Sequence, residues 1–555
     1  MSSQMKIYCK NIGRYVDIQG GETLSGIYAQ LKNEISIEPI CARVNNKTED
    51  LSYQVFAPKQ VEYLGIDSSS GYRVYVRSLC MMLYRAVSEC LPGARLNICH
   101  SVSKGYYGRL EGSEATPATV ATLKAKMQEL VKRDIPFVRK ERLTADVKEM
   151  FHCQGLNDKV LLLDTTHELY TVAYRLDGIY DSYYGPLAPS TGCLKVFDLV
   201  PYHEGFLLTA PDAANPSLPQ TPVLQEKMFA TFTEYMRFNE VTGVRNVGEL
   251  NLATIENRST DLINVAEALH DKKISDIADE IARRHRAGGC KLVMIAGPSS
   301  SGKTTFTKRL AIYLMTNLLK PKMISLDDYF VDREHTPRDA NGDYDYESLY
   351  ALDLELFNHD LRELTAGHEV ELPTYSFETG TRQYKGNKVH LEDNSVLLIE
   401  GIHGLNPELT AEIPDDLKYR IYVSALTTLA IDDHNWVPTT DNRLLRRIIR
   451  DHKYRGTSAL DTIKRWPSVR RGEEKWIFPY QENADSMFNS SLIFELGVMR
   501  PYAMELLRDF PRDVPEYGEA YRLVRFLSYF IPIPDNKIPP TSLLREFLGG
   551  SSFHY

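Results

Sequence analysis

The sequence predicts an α/β protein whose C-terminal half is built on a mostly parallel sheet, preceded by a small β-rich module and an α+β segment. Three observations carry that expectation. From Lys291 onward, K-L-V-M-I-A, K-M-I-S-L, S-V-L-L-I-E, Y-R-I-Y-V-S and S-L-I-F-E-L are short apolar runs separated by helical patterns, as for strands buried on both faces. The first 60 or so residues alternate instead, in M-K-I-Y-C-K and Tyr15-Val16-Asp17-Ile18, the pattern of half-buried strands. At roughly 150 residues per domain, a 555-residue chain divides into three or four domains.

Taken in order, Gly20-Gly21 turns the first hairpin into T-L-S-G-I-Y-A-Q-L, a short helix. Residues 74–86 and 118–132 have helical periodicity, whereas 160–163 and 206–209 read as strands. The Pro- and Ala-rich stretch 213–222 reads as a linker, and a mostly helical segment follows to Arg286. After Arg500 come helical patterns and an extended strap, I-P-I-P-D-N-K-I-P-P. The expected division is 1–60, 61–212, 213–286, 287–510 and 511–555.

Hydrophobic residues at 43% and charged residues at 25% exclude a largely disordered chain. Lys and Arg total 65 against 74 Asp and Glu, a net charge of −9, which argues against a protein that coats nucleic acid. No apolar run is long enough to span a bilayer, and M-S-S-Q-M-K lacks a secretory core. Eight cysteines without a C-x-x-C pair point to free thiols and a cytoplasmic location.

The strand K-L-V-M-I-A runs into G-P-S-S-S-G-K-T, residues 297–304, which fits G-x-x-x-x-G-K-[ST] in its strand–loop–helix context. Backbone amides of Gly297, Ser299, Ser300, Ser301, Gly302, Lys303, Thr304 and Thr305 are candidates to cradle phosphates at the positive end of the next helix. Lys303 reaches the β- and γ-phosphates and the Thr304 hydroxyl ligates Mg²⁺. The cofactors expected are ATP or GTP with Mg²⁺. K-M-I-S-L ends in Asp327-Asp328, a carboxylate where an acceptor hydroxyl has to be positioned, and S-V-L-L-I-E ends in Glu400, a second metal candidate. Arg443, Arg446, Arg447 and Arg450 share one helix face opposite Leu444, Leu445, Ile448 and Ile449, as in a mobile lid that closes on a triphosphate.

These motifs, in this order over about two-fifths of the chain, resemble the uridine kinase/phosphoribulokinase family of P-loop kinases. The resemblance implies that Asp327 is the catalytic base, and that Lys303, Arg447 and Arg450 act on the transferring group with Arg455 on the nucleotide. It also implies that Tyr375 of L-P-T-Y-S-F lines a nucleoside pocket, and that Asp345 of D-Y-D-Y-E contacts ribose. Two positions depart from the family pattern: Gly380 stands where a base-reading His is expected, and Thr457 replaces a lid Arg.

The front half resembles threonyl-tRNA synthetases: a ubiquitin-like TGS module of the β-grasp type, then the synthetase's editing-type domain. Y-Y-G-P-L-A-P-S-T-G is similar to the synthetase's C-x-G-P-H-x-P-x-T-G, with Tyr183 and Leu187 in place of its metal-binding Cys and His. H-S-V-S-K keeps His100 but puts Lys104 where a second His belongs, so the implied metal site is dead. The expected activity is nucleoside phosphorylation at the 5′-hydroxyl, with no membrane partner, no bulk nucleic-acid binding and a homo-oligomer left open. A kinase of another hydroxyl metabolite, such as a sugar or polyol, and a nucleotide-dependent RNA-binding regulator remain as alternatives.

Overall fold

The structure is a computed structural model that describes residues 4–339 and 342–554. Its first sheet has five strands in the spatial order Arg14–Gln19, Gln4–Cys9, Gln60–Leu64, Cys41–Val44, Lys47–Glu49. Gln4–Cys9 and Gln60–Leu64 run parallel and the other neighbours antiparallel. The helix Leu24–Leu31 starts where the Thr23 hydroxyl accepts the Gly26 amide, and it buries Leu24, Ile27 and Leu31 against the sheet.

The helix Ser69–Cys90 is the centre of the next unit, buried from Val74 to Leu83 against a four-stranded antiparallel sheet and the helix Pro117–Arg133. Residues 160–163, expected as a strand, lie inside the helix Asn157–Thr166. Four consecutive apolar residues suit either element; here Leu162 and Leu163 pack inward while Lys159 and Asp158 on the same helix enter a buried ion network. Residues 206–209 are a strand as expected, within Gly205–Thr209. The helices Glu226–Thr242, Val247–Ile255 and Ser259–Arg286 lead into the second half.

There, five parallel strands lie in the order Lys320–Ser325, Ser395–Glu400, Leu292–Ala296, Lys418–Ser424, Ser486–Asn489. The central strand Leu292–Ala296 is fully buried, as its uninterrupted apolar run requires. The fifth strand is Ser486–Asn489 and not S-L-I-F-E-L: Leu492 and Phe494 are buried in the connection to the helix Glu495–Arg508. That run is apolar because it fills a helical core, a role that periodicity over six residues does not separate from a strand. A long hairpin, Val370–Ser376 with Thr381–Val389, projects beyond the sheet. The residues after Arg508 pack back: Leu523, Phe526, Leu543, Leu544 and Phe547 are fully buried. No helix among the described residues is long and apolar enough to cross a membrane.

Candidate active site

The site lies at the C-terminal ends of the parallel strands, where crevices open in such sheets. The strand Leu292–Ala296 delivers the loop, and the helix Lys303–Thr316 begins at Lys303 with Gly302 in the left-handed region (φ 85°). Ser300 has positive φ as well (58°), so the loop turns sharply around its own amides. Lys303 Nζ donates to the Pro298 carbonyl at 3.3 Å, which holds the ammonium over the loop. Thr304 Oγ1 donates to Glu400, 3.2 Å from each carboxylate oxygen.

Burial pushes Glu400 up to about 7, with Asp327 and Glu546 adding like charge and Lys303 opposing. A hydroxyl beside a carboxylate under that strain suits a hard divalent cation, which takes oxygen ligands and supplies the missing counter-charge. Because the folded-state pKa lies above the ordinary carboxylate value, the stability Glu400 contributes is full below that value and is lost as pH rises through about 7. In metal-free, nucleotide-free buffer, Glu400→Gln is therefore expected to melt above wild type at pH 8, with the gap closing as pH falls toward 5. Thermal melts of both proteins across that range check the sign.

The arginine stripe divides into two functions. Arg443 and Arg446 are 1% and 0% exposed. Arg443 pairs with Glu473 and donates to the Ser299 carbonyl at 3.0 Å; Arg446 donates to Glu495 at 3.0 Å and to Ser490. Their helix, Thr439–Arg455, buries Leu444, Leu445, Ile448 and Ile449 against the helices Ala459–Trp476 and Glu495–Arg508. Two arginines of the stripe expected as a lid thus buttress the phosphate loop.

Arg447, Arg450 and Arg455 gather instead around Asp451, at 3.2, 2.9 and 3.6 Å, and Arg447 also donates to Ser299 Oγ at 2.7 Å. Removing one partner of a buried ion pair leaves the other uncompensated, so Arg446→Ala is expected to cost about 3–5 kcal/mol in chemical denaturation. Arg450→Ala leaves Asp451 paired with Arg447 and Arg455, so it should cost less stability than Arg446→Ala and lose turnover instead.

On the acceptor side, Asp327 follows the strand Lys320–Ser325 in the short turn Leu326–Tyr329. Its side chain is exposed in the cleft, with protein crowded about it. That crowding raises its carboxyl, while Lys303, Arg455 and Arg450 oppose the rise. Asp328 turns away: its Oδ1 accepts the Tyr375 amide at 3.2 Å and so ties the hairpin to this turn.

Asp345, the candidate for ribose, accepts the Glu347 amide at 3.2 Å and shapes the turn. Glu347, two residues on, is the acid of this segment that feels the charges of the site. Burial, with Glu473 and Asp327 adding like charge, pushes it up to about 7 against the pull of Arg447 and Lys303. Helix Ala459–Trp476 needs glycine at 472 for this approach, since a Cβ there would lie 2.3 Å from the Glu347 Cβ. Sequence reasoning missed Glu347, although it is the last acid before the buried run at Ser348 and Leu349.

Tyr375 is 6% exposed within an aromatic group of Phe330, Phe377 and, beyond Phe330, Tyr346. Its buried hydroxyl has no hydrogen-bond partner among the described residues. Gly380 (φ 72°) closes the hairpin under Arg333, whose Nε would lie 2.7 Å from a Cβ at that position. The guanidinium of Arg333 donates to the Phe377 carbonyl. The position expected to carry a base-reading His is thus backed by an arginine from a different segment.

The four front-half positions singled out in the sequence have separate surroundings. His100 is buried, stacks on Phe232 at 5.0 Å, lies 3.4 Å from Thr439 Oγ1 and is pushed down to about 4 by burial. Lys104 sits in the turn with Ser103, Leu187 is fully buried, and Tyr183 lies under the Lys159 ammonium.

A model of the phosphoribulokinase/uridine kinase family matches residues 292–492. The uridine kinase of Staphylococcus aureus (strain JH9) is 30% identical over 195 residues, which cover 35% of this chain and 84% of that one. The chain belongs to the phosphoribulokinase/uridine kinase family. A second relative in it, the uridine kinase of Staphylococcus haemolyticus (strain JCSC1435), is 29% identical over the same length. Among solved structures, a possible uridine kinase from Bacillus stearothermophilus covers 39% of this chain at 21% identity, with all of that chain matched and a TM-score of 0.27. D-glycerate 3-kinase from Cryptococcus neoformans covers 46% of this chain and is itself 87% matched, at 14% identity and a TM-score of 0.21. As a member of this family the protein is an ATP-dependent phosphotransferase that acts on a hydroxyl group.

Proposed function

We propose that the protein phosphorylates the 5′-hydroxyl of a nucleoside, with Asp327 as the base. The observation that carries this reading is that Asp327 shares the charge field of Lys303, Arg450 and Arg455, while the adjacent Asp328 is tied to the Tyr375 amide and so to the aromatic group. Asp327 orients the acceptor hydroxyl and takes its proton as the new ester forms. Lys303, Arg447 and Arg450 neutralise charge spread over the transferring group, and Arg455 holds the nucleotide. Mg²⁺ at Thr304 and Glu400 would supply further counter-charge to the phosphates.

The acceptor stacks on the aromatic group around Tyr375, whose exposed member is Phe377, and Asp345 or Glu347 accepts from the ribose hydroxyls. Arg333 supports the hairpin without replacing the hydrogen-bond pattern of a histidine, so discrimination among bases is weaker than a fully dressed pocket would give. Incubation with ATP and uridine, cytidine, adenosine, guanosine or inosine, read by mass spectrometry, should show several nucleosides gaining one phosphoryl group. Ribulose 5-phosphate and free sugars serve as controls. A sugar phosphorylated efficiently with no nucleoside product contradicts the nucleoside assignment and leaves the kinase standing.

In the front half, the sheet order and crossing helix support a β-grasp, TGS-like module over residues 4–60.

A further inference from the structure

The C-terminal segment reaches the phosphate loop from more than two hundred residues away. Glu546, 8% exposed, accepts from the Thr305 hydroxyl at 2.7 Å and from the Thr305 amide at 3.3 Å. Leu543 lies against Gly302, where a Cβ would come within 2.8 Å of it. Phe547 packs under the Arg446 guanidinium at 5.1 Å, and Lys453 holds the Leu548 carbonyl at 2.5 Å. Leu543, Leu544, Phe547 and Leu548 are all buried, so the segment is anchored.

Amides at the start of the helix after such a loop cradle the α- and β-phosphates. The Thr305 amide and hydroxyl are therefore a phosphate seat, taken here by a carboxylate, an anion with the same preference for helix N-terminal donors. Lys303 and Thr304, which serve the outer phosphates, bond to Pro298 and Glu400 and not to Glu546. One seat of three is blocked.

We infer that Glu546 gates the nucleotide: its carboxylate holds the α-phosphate seat at Thr305 and swings off before ATP settles. This rests on the phosphate-loop reading and on nothing about the acceptor. A binding-competent state that is populated for only a fraction of the time weakens apparent affinity by that fraction. Glu546 thereby sets the affinity for any donor that carries an α-phosphate, whereas a two-phosphate ligand on the outer seats is indifferent to it.

The test uses the full chain as wild type, Glu546→Gln and Glu546→Ala, with calorimetric titration of a non-hydrolysable ATP analogue and, separately, of imidodiphosphate, each with Mg²⁺. The expected result is that Glu546→Ala binds the ATP analogue about tenfold more tightly. Glu546→Gln, which keeps an acceptor but loses the charge, gains less, and imidodiphosphate affinity is unchanged in both. The KM for ATP should fall in parallel with kcat preserved. Unchanged or weaker binding of the ATP analogue by both variants overturns the gate, and so do equal gains for both ligands, which mark a long-range charge effect. Failure of every nucleoside as acceptor would reject the proposed substrate and leave these binding results intact.

Discussion

Lys303→Ala is expected to abolish phosphoryl transfer, with a loss of about 10³-fold or more in kcat. The reason is positional. Lys303 is the loop's own ammonium, held at the Pro298 carbonyl, and its charge reaches Asp327, Glu347 and Glu400 together. Arg443 and Arg446 lie near the loop but are committed to Glu473 and Glu495, so neither is free to substitute. Removing the lysine leaves three carboxylates facing one another without it. The measurement is steady-state turnover with the best acceptor, alongside a thermal melt to show that the variant is folded. Transfer at the wild-type rate would exclude the loop as the nucleotide site.

Asp327→Asn should lower kcat by roughly 10²–10⁴-fold while ATP affinity stays near wild type, the signature of a lost base. The neighbouring Asp328→Asn should behave differently, because that side chain's Oδ1 accepts the Tyr375 amide and an Asn carbonyl holds it more weakly than a carboxylate. Its loss is expected in KM for the acceptor more than in kcat. Together the pair separates proton transfer from pocket shape. If Asp328→Asn stops the chemistry and Asp327→Asn does not, the base has been placed on the wrong residue.

The phosphate loop was legible in the sequence because its chemistry is local: glycines, lysine and threonine at fixed spacing between a buried strand and a helix. The parallel sheet was legible for a related reason, since a strand covered on both faces has to be apolar throughout. S-L-I-F-E-L and residues 160–163 show the limit of that rule, because a short apolar run is equally at home in a helical core. The four-arginine stripe was read correctly as one helix face. Which arginines serve the loop as struts depends on Glu473 and Glu495, 30 and 49 residues away, and no periodicity carries that. Asp345 and Glu347 are not separable in the sequence, because three acids within five residues offer no local means of choosing between them. Glu546 lay furthest out of reach, 241 residues from the threonine it contacts.

The most direct test of the central claim is a phosphorus NMR and mass-spectrometric balance on a single reaction of purified protein with ATP, Mg²⁺ and a nucleoside. The account predicts one ADP formed for each new nucleoside 5′-phosphate ester, with both signals lost in Asp327→Asn. ADP released with inorganic phosphate and no new ester, and stimulated by added RNA, would contradict it.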